Sequence, residues 1–361
     1  MPATVRQHYE LYPYPSYPLL ASVRRCDTYA LNLSALWARF NGELPAGPAR
    51  RMLIAGCGSF SPYPFALANA GTPITALDLS QRSLRRARLH CLLHRLSSVE
   101  FVPGDLLDQT VAPGPYGFID AYGVLHHLEH PEVGLRALAA RLTEGGILRV
   151  MVYSRYARSE EESIRRALRL LKIDRPEQVR DLVRRSKPGS RLRRFFDASD
   201  EMSFRAGIAD ALLHPCVQTY RIEPFLELVR SSGLEPLLFA HPGALAEVNQ
   251  EVERIRELET RRSAPGNFVV YLGKGVHGPC PEGTAVFTLN PCLGQAVSFF
   301  RRGPVRIAGR LGSPNPPLDR EERCFLRRFR KGVPATELSG TDLERADRYA
   351  ERLFLLRHRP L

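Results

Sequence analysis

Two stretches decide the fold: Arg51-Met52-Leu53-Ile54-Ala55-Gly56-Cys57-Gly58 and Pro73-Ile74-Thr75-Ala76-Leu77-Asp78. The first is a short apolar run that ends in two glycines, which reads as a buried strand entering a tight turn. The second is a further apolar run that ends in an acid. Glycine at the first turn lets backbone N–H groups approach a ligand closely. Asp78 lies twenty-two residues after Gly56, at the tip of the neighbouring strand, where a carboxylate can accept from both hydroxyls of a ribose. This is nucleotide-binding logic at the carboxyl edge of an open sheet. Gly58 is followed by Ser59-Phe60-Ser61 with no third glycine. The G-x-G-x-x-G pattern that cradles a pyrophosphate is therefore absent, which disfavours a dinucleotide-dependent dehydrogenase.

Outward from this pair the same alternation continues. An Arg-rich helix is predicted over 80–96, with Ser80 as its N-cap and Leu84, Ala87, Cys91 and Leu92 on one face. Val99 to Val102 reads as a third strand, closed by Gly104-Asp105, and 117–122 as a fourth. A helix over 131–142, with Gly145-Gly146 as its stop, leads to a fifth strand over 147–153. Strand and helix alternating at this spacing imply parallel pairing with right-handed crossovers, and near-continuous apolar strands imply a sheet covered on both faces. Upstream, a Tyr/Pro-rich segment precedes a predicted helix over 25–41. Downstream, 155–194 is helical and basic, with fourteen Arg/Lys against six Asp/Glu. Regular structure then resumes as a helix over 222–232, strands over 234–240 and 267–273, and an exposed helix over 244–262. Residues 276–317 are rich in Pro and Gly, and amphipathic helices are predicted over 318–330 and 341–356.

Composition bounds the answer. The chain has 361 residues, 44% hydrophobic and 25% charged, which is ordinary globular composition and excludes disorder as the main state. No apolar run is long enough to span a membrane, and the N-terminus lacks the pattern of a secretory signal. The formal net charge is +13, and only four of the 51 basic residues are lysines. Such a charge permits nucleic-acid binding without requiring it. Seven scattered cysteines without a CxxC argue against a disulfide framework or a zinc ribbon and fit a cytoplasmic protein with reduced thiols.

Several of these segments together resemble the class I S-adenosylmethionine (SAM)-dependent methyltransferases. Ala55-Gly56-Cys57-Gly58 is similar to their first motif, and Leu77-Asp78-Leu79-Ser80 to their second strand and the start of its helix. Phe101-Val102-Pro103-Gly104-Asp105-Leu106 resembles the third-strand motif. Gly123-Val124-Leu125-His126-His127-Leu128-Glu129-His130-Pro131 resembles the GVLHHL-x-x-P segment after strand four. Leu142-Thr143-Glu144-Gly145-Gly146 is similar to the L-x-P-G-G turn before strand five, with Glu144 in place of the proline. The resemblance covers about 51–155 and the strand pair near 234–273.

The fold it implies is α/β: a Rossmann-like, seven-stranded, mostly parallel sheet with helices on both faces, a helical insertion after strand five and a C-terminal accessory unit. The implied organisation is a Tyr/Pro lid and helix over 1–50, a SAM-binding domain over 51–275 with a substrate cap at 155–222, and an accessory helical unit over 276–361. The implied cofactor is SAM. Gly56 and Gly58 would face its methionine half, Asp78 would bind its ribose, and Asp105 and Leu106 would meet its adenine, with Cys57 and Leu79 also in the cofactor site. Tyr122 and Gly123 would line the floor, and Tyr9 and Tyr14 would close over it. Tyr153, Arg155 and Tyr156, at the entry to the insertion, could face the acceptor, and the Arg-rich insertion suggests an anionic one.

His126, His127 and His130 invite a metal reading, but HExxH is absent and strand-to-helix loop residues explain them; no metal is expected. His126 or His127 could act as a general base. The expected activity is methyl transfer to a small-molecule acceptor. RNA or protein methylation through the basic insertion, and a non-catalytic SAM-binding scaffold, are the alternatives. No membrane partner is expected, and the oligomeric state stays open.

Overall fold

The computed structural model describes residues 3–360. Its centre is a seven-stranded sheet in the order β3-β2-β1-β4-β5-β7-β6. The strands are β1 (Met52–Ala55), β2 (Ile74–Asp78), β3 (Val99–Pro103), β4 (Tyr116–Tyr122), β5 (Leu142–Val152), β6 (Glu235–Phe239) and β7 (Phe268–Lys274). β1 to β5 pair in parallel, and β7 runs antiparallel to both β5 and β6. Every residue of β1 and β2 is buried, as continuous apolar strands in a two-faced sheet require. β3, at the edge, is only half-buried. Reversal of strand order between β1 and β4 opens a crevice at the carboxyl ends of the parallel strands, where ligands bind in such sheets.

One face is covered by the helices Pro131–Ala140, Ile222–Arg230 and Val248–Thr260, whose apolar side chains join Leu53, Ile119, Leu148 and Val270 in one core. The other face is covered by the helices Leu33–Asn41 and Pro62–Ala68 and by the C-terminal segment. That segment contains a second, three-stranded sheet of β8 (Val286–Leu289), β9 (Val333–Pro334) and β10 (Leu355–His358). Its Phe287, Leu293, Phe329 and Phe354 share one buried cluster with Tyr29, Trp37, Phe65 and Phe118. The insertion has a small core of its own, built on Ile164, Leu168, Val179, Met202 and Ile208.

Local signals held in part. Ser80 caps the helix Gln81–Leu93 by accepting from the Ser83 N–H at 3.1 Å. The helix read over 25–41 is broken. A 3₁₀ segment Arg25–Leu31 ends at an extended Asn32, whose Oδ1 accepts from Ala35 N–H at 3.0 Å and starts a new helix. Asparagine competes for its own backbone in this way, which is why it favours caps over helix interiors. Gly145 and Gly146 do not stop the preceding helix. It ends at Ala140, where the buried Arg141 guanidinium takes the carbonyls of Ala112, Ala137, Asp108 and Val111, and β5 already begins at Leu142. The C-terminal unit read as helical is mixed: the helix over 341–356 stops at Glu351, and Leu355–His358 is β10.

Candidate active site

A cavity of about 900 Å³ lies at the carboxyl rim of the parallel strands. Gly56, Cys57, Gly58, Asp78, Leu79, Leu106, Tyr122 and Gly123 all line it. Asp78 organises the rim. Its Oδ2 accepts from the Gly58 N–H and its Oδ1 from the Ser80 N–H, both at 2.8 Å. One carboxylate thus ties the first turn to the second, and each oxygen keeps a lone pair for a further donor. Burial pushes its pKa up to about 6, against the pull of those two N–H donors. The glycines serve a steric purpose. Gly56 has φ +68°, and a Cβ there would lie 2.6 Å from Val124 Cγ2. Gly58 has φ +57°, and a Cβ there would lie 2.5 Å from the Tyr14 carbonyl oxygen. Ser59, where the glycine pattern lapses, holds the N-terminal arm: its N–H donates to Tyr14 O at 3.2 Å and its hydroxyl to Pro15 O.

The arm and the insertion form the roof. Ser80 Oγ donates to the Tyr9 carbonyl at 3.2 Å. The Tyr9 hydroxyl donates to Asp210 Oδ1 at 3.0 Å, and the Tyr14 hydroxyl to Glu201 Oε1 at 2.9 Å. Both acids belong to the insertion, and both line the cavity with Arg158 and Tyr153. Burial raises the Asp210 carboxyl to about 6 and holds the Tyr9 and Tyr14 phenols well above their usual range.

The remaining predicted residues divide. Asp105 does not line the cavity, although Gly104 and Leu106 on either side of it do; its Oδ1 accepts from Leu107 N–H at 2.9 Å and shapes the turn. Arg155 is exposed, and neither it nor Tyr156 lines the cavity; Tyr153 does. Of the insertion's arginines among the described residues, Arg158 alone reaches the cavity, and it pairs with Glu161. Arg165 is committed to the carbonyls of Ala211 and His214. An anionic acceptor is therefore not met by guanidinium groups of the insertion.

His126 and His127 are buried beside the roof. His126 stacks on Tyr153 with ring centroids 3.6 Å apart. His127 Nδ1–H donates to the Cys216 carbonyl at 2.9 Å, and the Cys216 N–H donates to His214 Nδ1 at 3.1 Å. One residue of the insertion thereby sets two tautomers. With its Nδ1 proton committed, His127 carries its lone pair on Nε2. The His127 and His214 rings lie 3.8 Å apart, and His8 of the N-terminal helix Ala3–Leu11 lies 4.8 Å beyond. Burial lowers the pKa of all four histidines, His127 to about 3 and His8 to about 4, so the rings are neutral near pH 7. His130 is apart, exposed, 3.4 Å from Glu132. Among the described residues no three His, Cys, Asp or Glu side chains are arranged to hold a metal ion.

The sheet order, the glycine turn and the acid on β2 meet in one rim, and residues 53–148 match the model of a methyltransferase domain family. Residues 53–148 form a class I methyltransferase domain. Among curated proteins, the chain is 31% identical over 255 residues to an uncharacterised protein of Synechococcus sp., covering 66% of this chain and 61% of that protein. It is 37% identical over 99 residues to the ubiquinone biosynthesis O-methyltransferase of Bordetella avium, covering 27% of this chain and 40% of that enzyme. The chain thus spans less than two thirds of these relatives' own lengths. Among solved structures, PKMT2 from Rickettsia typhi superposes with TM-score 0.58 at 14% identity, over 96% of this chain and 78% of that one. The same protein in complex with AdoHcy gives 0.55 at 15% identity, over 93% and 71%. That likeness is one of fold. It reaches well beyond residues 53–148.

Proposed function

We propose that the chain is a SAM-dependent methyltransferase acting on a small-molecule acceptor that shares the cavity with the cofactor. The observation that carries this is Asp78: a buried carboxylate with a free lone pair on each oxygen, facing a cavity beside a glycine turn that no side chain could replace. These residues fit SAM. Gly56 and Gly58 would take its methionine half, Asp78 its ribose hydroxyls, Leu79, Gly104 and Leu106 its adenine, with Tyr122 and Gly123 beneath. When bound, the cofactor supplies a methyl group already activated by the sulfonium charge.

The chain's part is placement and exclusion of water. Tyr9 and Tyr14, held by Asp210 and Glu201, close the roof. Holding the acceptor in line with the methyl can supply about 7–11 kcal/mol of the barrier. The O-methyltransferase names of the matched relatives support a hydroxyl acceptor. For such an acceptor His127 Nε2, its Nδ1 already committed, would accept a hydrogen bond from the hydroxyl and orient it; burial, which lowers its pKa to about 3, leaves it a weak base. A cytoplasmic location suits the seven unpaired cysteines. No helix among the described residues is long and apolar enough to cross a membrane.

The test is calorimetry with SAM, followed by incubation of the protein with methyl-labelled SAM and a host-cell extract separated into metabolite, RNA and protein fractions. Label in the metabolite fraction supports the reading. Label in RNA, with binding that weakens steeply as salt rises, would move it to nucleic acid, and label in protein to a polypeptide acceptor. SAM binding with no label anywhere leaves a scaffold.

A further inference from the structure

Apart from Asp78, which two backbone N–H groups hold, the charged groups around the cavity have side-chain partners, with one exception. Asp120 and Arg149 form a buried pair at 2.6 Å beneath the tips of β4 and β5. Asp27 gives both oxygens to Arg24, at 2.7 and 2.8 Å. Arg158 pairs with Glu161. Glu201 and Asp210 each accept a tyrosine hydroxyl. Arg310 also lines the cavity, and its guanidinium makes no ion pair and no hydrogen bond among the described residues.

Arg310 belongs to the C-terminal segment, far in sequence from the rim, and the chain fixes its backbone there. The buried Tyr29 hydroxyl accepts from the Arg310 N–H at 3.1 Å and from Asn315 Nδ2 at 3.0 Å. Asn315 Nδ2 also bonds Ala308 O at 3.1 Å, and Arg24 holds Arg306 O at 2.8 Å. The turn is therefore tied to the wall of the domain on both sides of Arg310. The guanidinium lies close enough to Tyr122, at the tip of β4, to act on its phenol electrostatically. The neighbouring lining is aromatic and apolar, with Tyr271 and Met151 beside Tyr122. Asp78, Asp210 and Glu201 line the same cavity.

We propose that Arg310 is the anion-recognition residue of the acceptor site: the acceptor carries a carboxylate or phosphate that pairs with Arg310 and an apolar body that rests on Tyr122 and Tyr271. This rests on the methyltransferase reading above. A guanidinium takes such anions through two parallel hydrogen bonds, which fixes orientation as well as affinity. Pairing of the anion with Arg310 leaves the other end of the acceptor free to present its nucleophile to the methyl group. A carboxylate is also present on the cofactor, and the test separates the two sources.

The 361-residue protein and its Arg310→Ala and Arg310→Glu variants are given labelled SAM with a metabolite extract split on an anion exchanger into retained and unretained fractions. SAM affinity is measured in parallel by calorimetry. The expected result is label in acceptors from the retained fraction, with Arg310→Ala raising their KM by about 10- to 150-fold, the worth of a hydrogen bond to a charged group. Arg310→Glu abolishes transfer, and SAM affinity is unchanged in both variants, which also reports that they fold. Label confined to the unretained fraction, or a KM unmoved by Arg310→Ala, overturns the assignment. A loss of SAM affinity in the variants assigns Arg310 to the cofactor's carboxylate and overturns it as well. Label in neither fraction while SAM still binds removes the small-molecule reading first, and this proposal with it.

Discussion

Asp78 does two jobs with one carboxylate, and its environment sets their pH dependence. Its two backbone donors lock the rim, while its free lone pairs face the cavity. Asp78→Ala is expected to weaken SAM binding about 10- to 150-fold, the loss of a hydrogen bond to a charged group; equal calorimetric affinities would remove Asp78 from the site. The folded pKa, about 6, lies above its ordinary 3.8. The ionised form that accepts from ribose is therefore lost as pH falls through about 6, and SAM affinity measured between pH 8 and 5 should fall on the acid side. His127 is the second test at this scale. His127→Ala should lower turnover on a hydroxyl acceptor by about 2- to 10-fold, the worth of one neutral hydrogen bond, and leave SAM affinity intact. Undiminished turnover would remove His127 from the acceptor site.

Among the elements, the one to watch is the clasp of N-terminal helix and insertion over the rim. It is built from neutral rings: His8 on the helix, His214 on the insertion and His127 on the loop after β4. His8 titrates at about 4 and His127 at about 3 when folded, below their ordinary 6.5. An unfolded or opened chain therefore binds more protons between pH 6.5 and those values, and the clasp loses stability as pH falls through that window. Asp78 and Asp210, both raised to about 6, act in the opposite direction below pH 6. The clasp's three lowered histidines outnumber these two raised acids, which predicts a net opening on acidification. His8→Phe keeps the ring packing and removes one titrating group. Limited proteolysis of the insertion should then begin at lower pH than in the parent, and identical profiles would dissociate His8 from the clasp.

For the whole molecule, the decisive fact is that the C-terminal segment shares its core with the methyltransferase domain. Trp37, Leu36 and Tyr29 are buried together with Phe287, Leu293, Phe329 and Phe354. Deleting 276–361 would uncover a contiguous apolar face of the kind that monomeric proteins rarely expose. The shortened chain should be insoluble or melt without a cooperative transition; a soluble fragment with a sharp thermal midpoint would show that the domain folds alone. The charge distribution is also a property of the whole. The chain's +13 sits largely outside the cavity, whose lining holds Arg149, Arg158 and Arg310 against Asp27, Asp78, Glu201 and Asp210.

What the chain declares locally was legible before any tertiary contact was known. Apolar runs of four to seven residues, a glycine turn and an acid at a strand tip depend on neighbours a few positions away, so β1, β2, β4 and the Ser80 cap were readable as written. Asn32, which splits a predicted helix, and β10, hidden in an amphipathic pattern, mark where a short apolar run fits helix and strand alike. The rim's glycines and Asp78 were found because one motif contains them. Glu201, Asp210, Cys216 and Arg310 were not. A pair of acids at the end of an Arg-rich insertion was the one available hint. Their roles arise from contacts such as Tyr9–Asp210, Tyr14–Glu201 and Tyr29–Arg310, made between residues about 190 to 280 positions apart. Such pairings leave no periodic trace in a sequence. They exist only once burial of the apolar faces has brought the arm, the insertion and the C-terminal turn onto the same edge of the sheet.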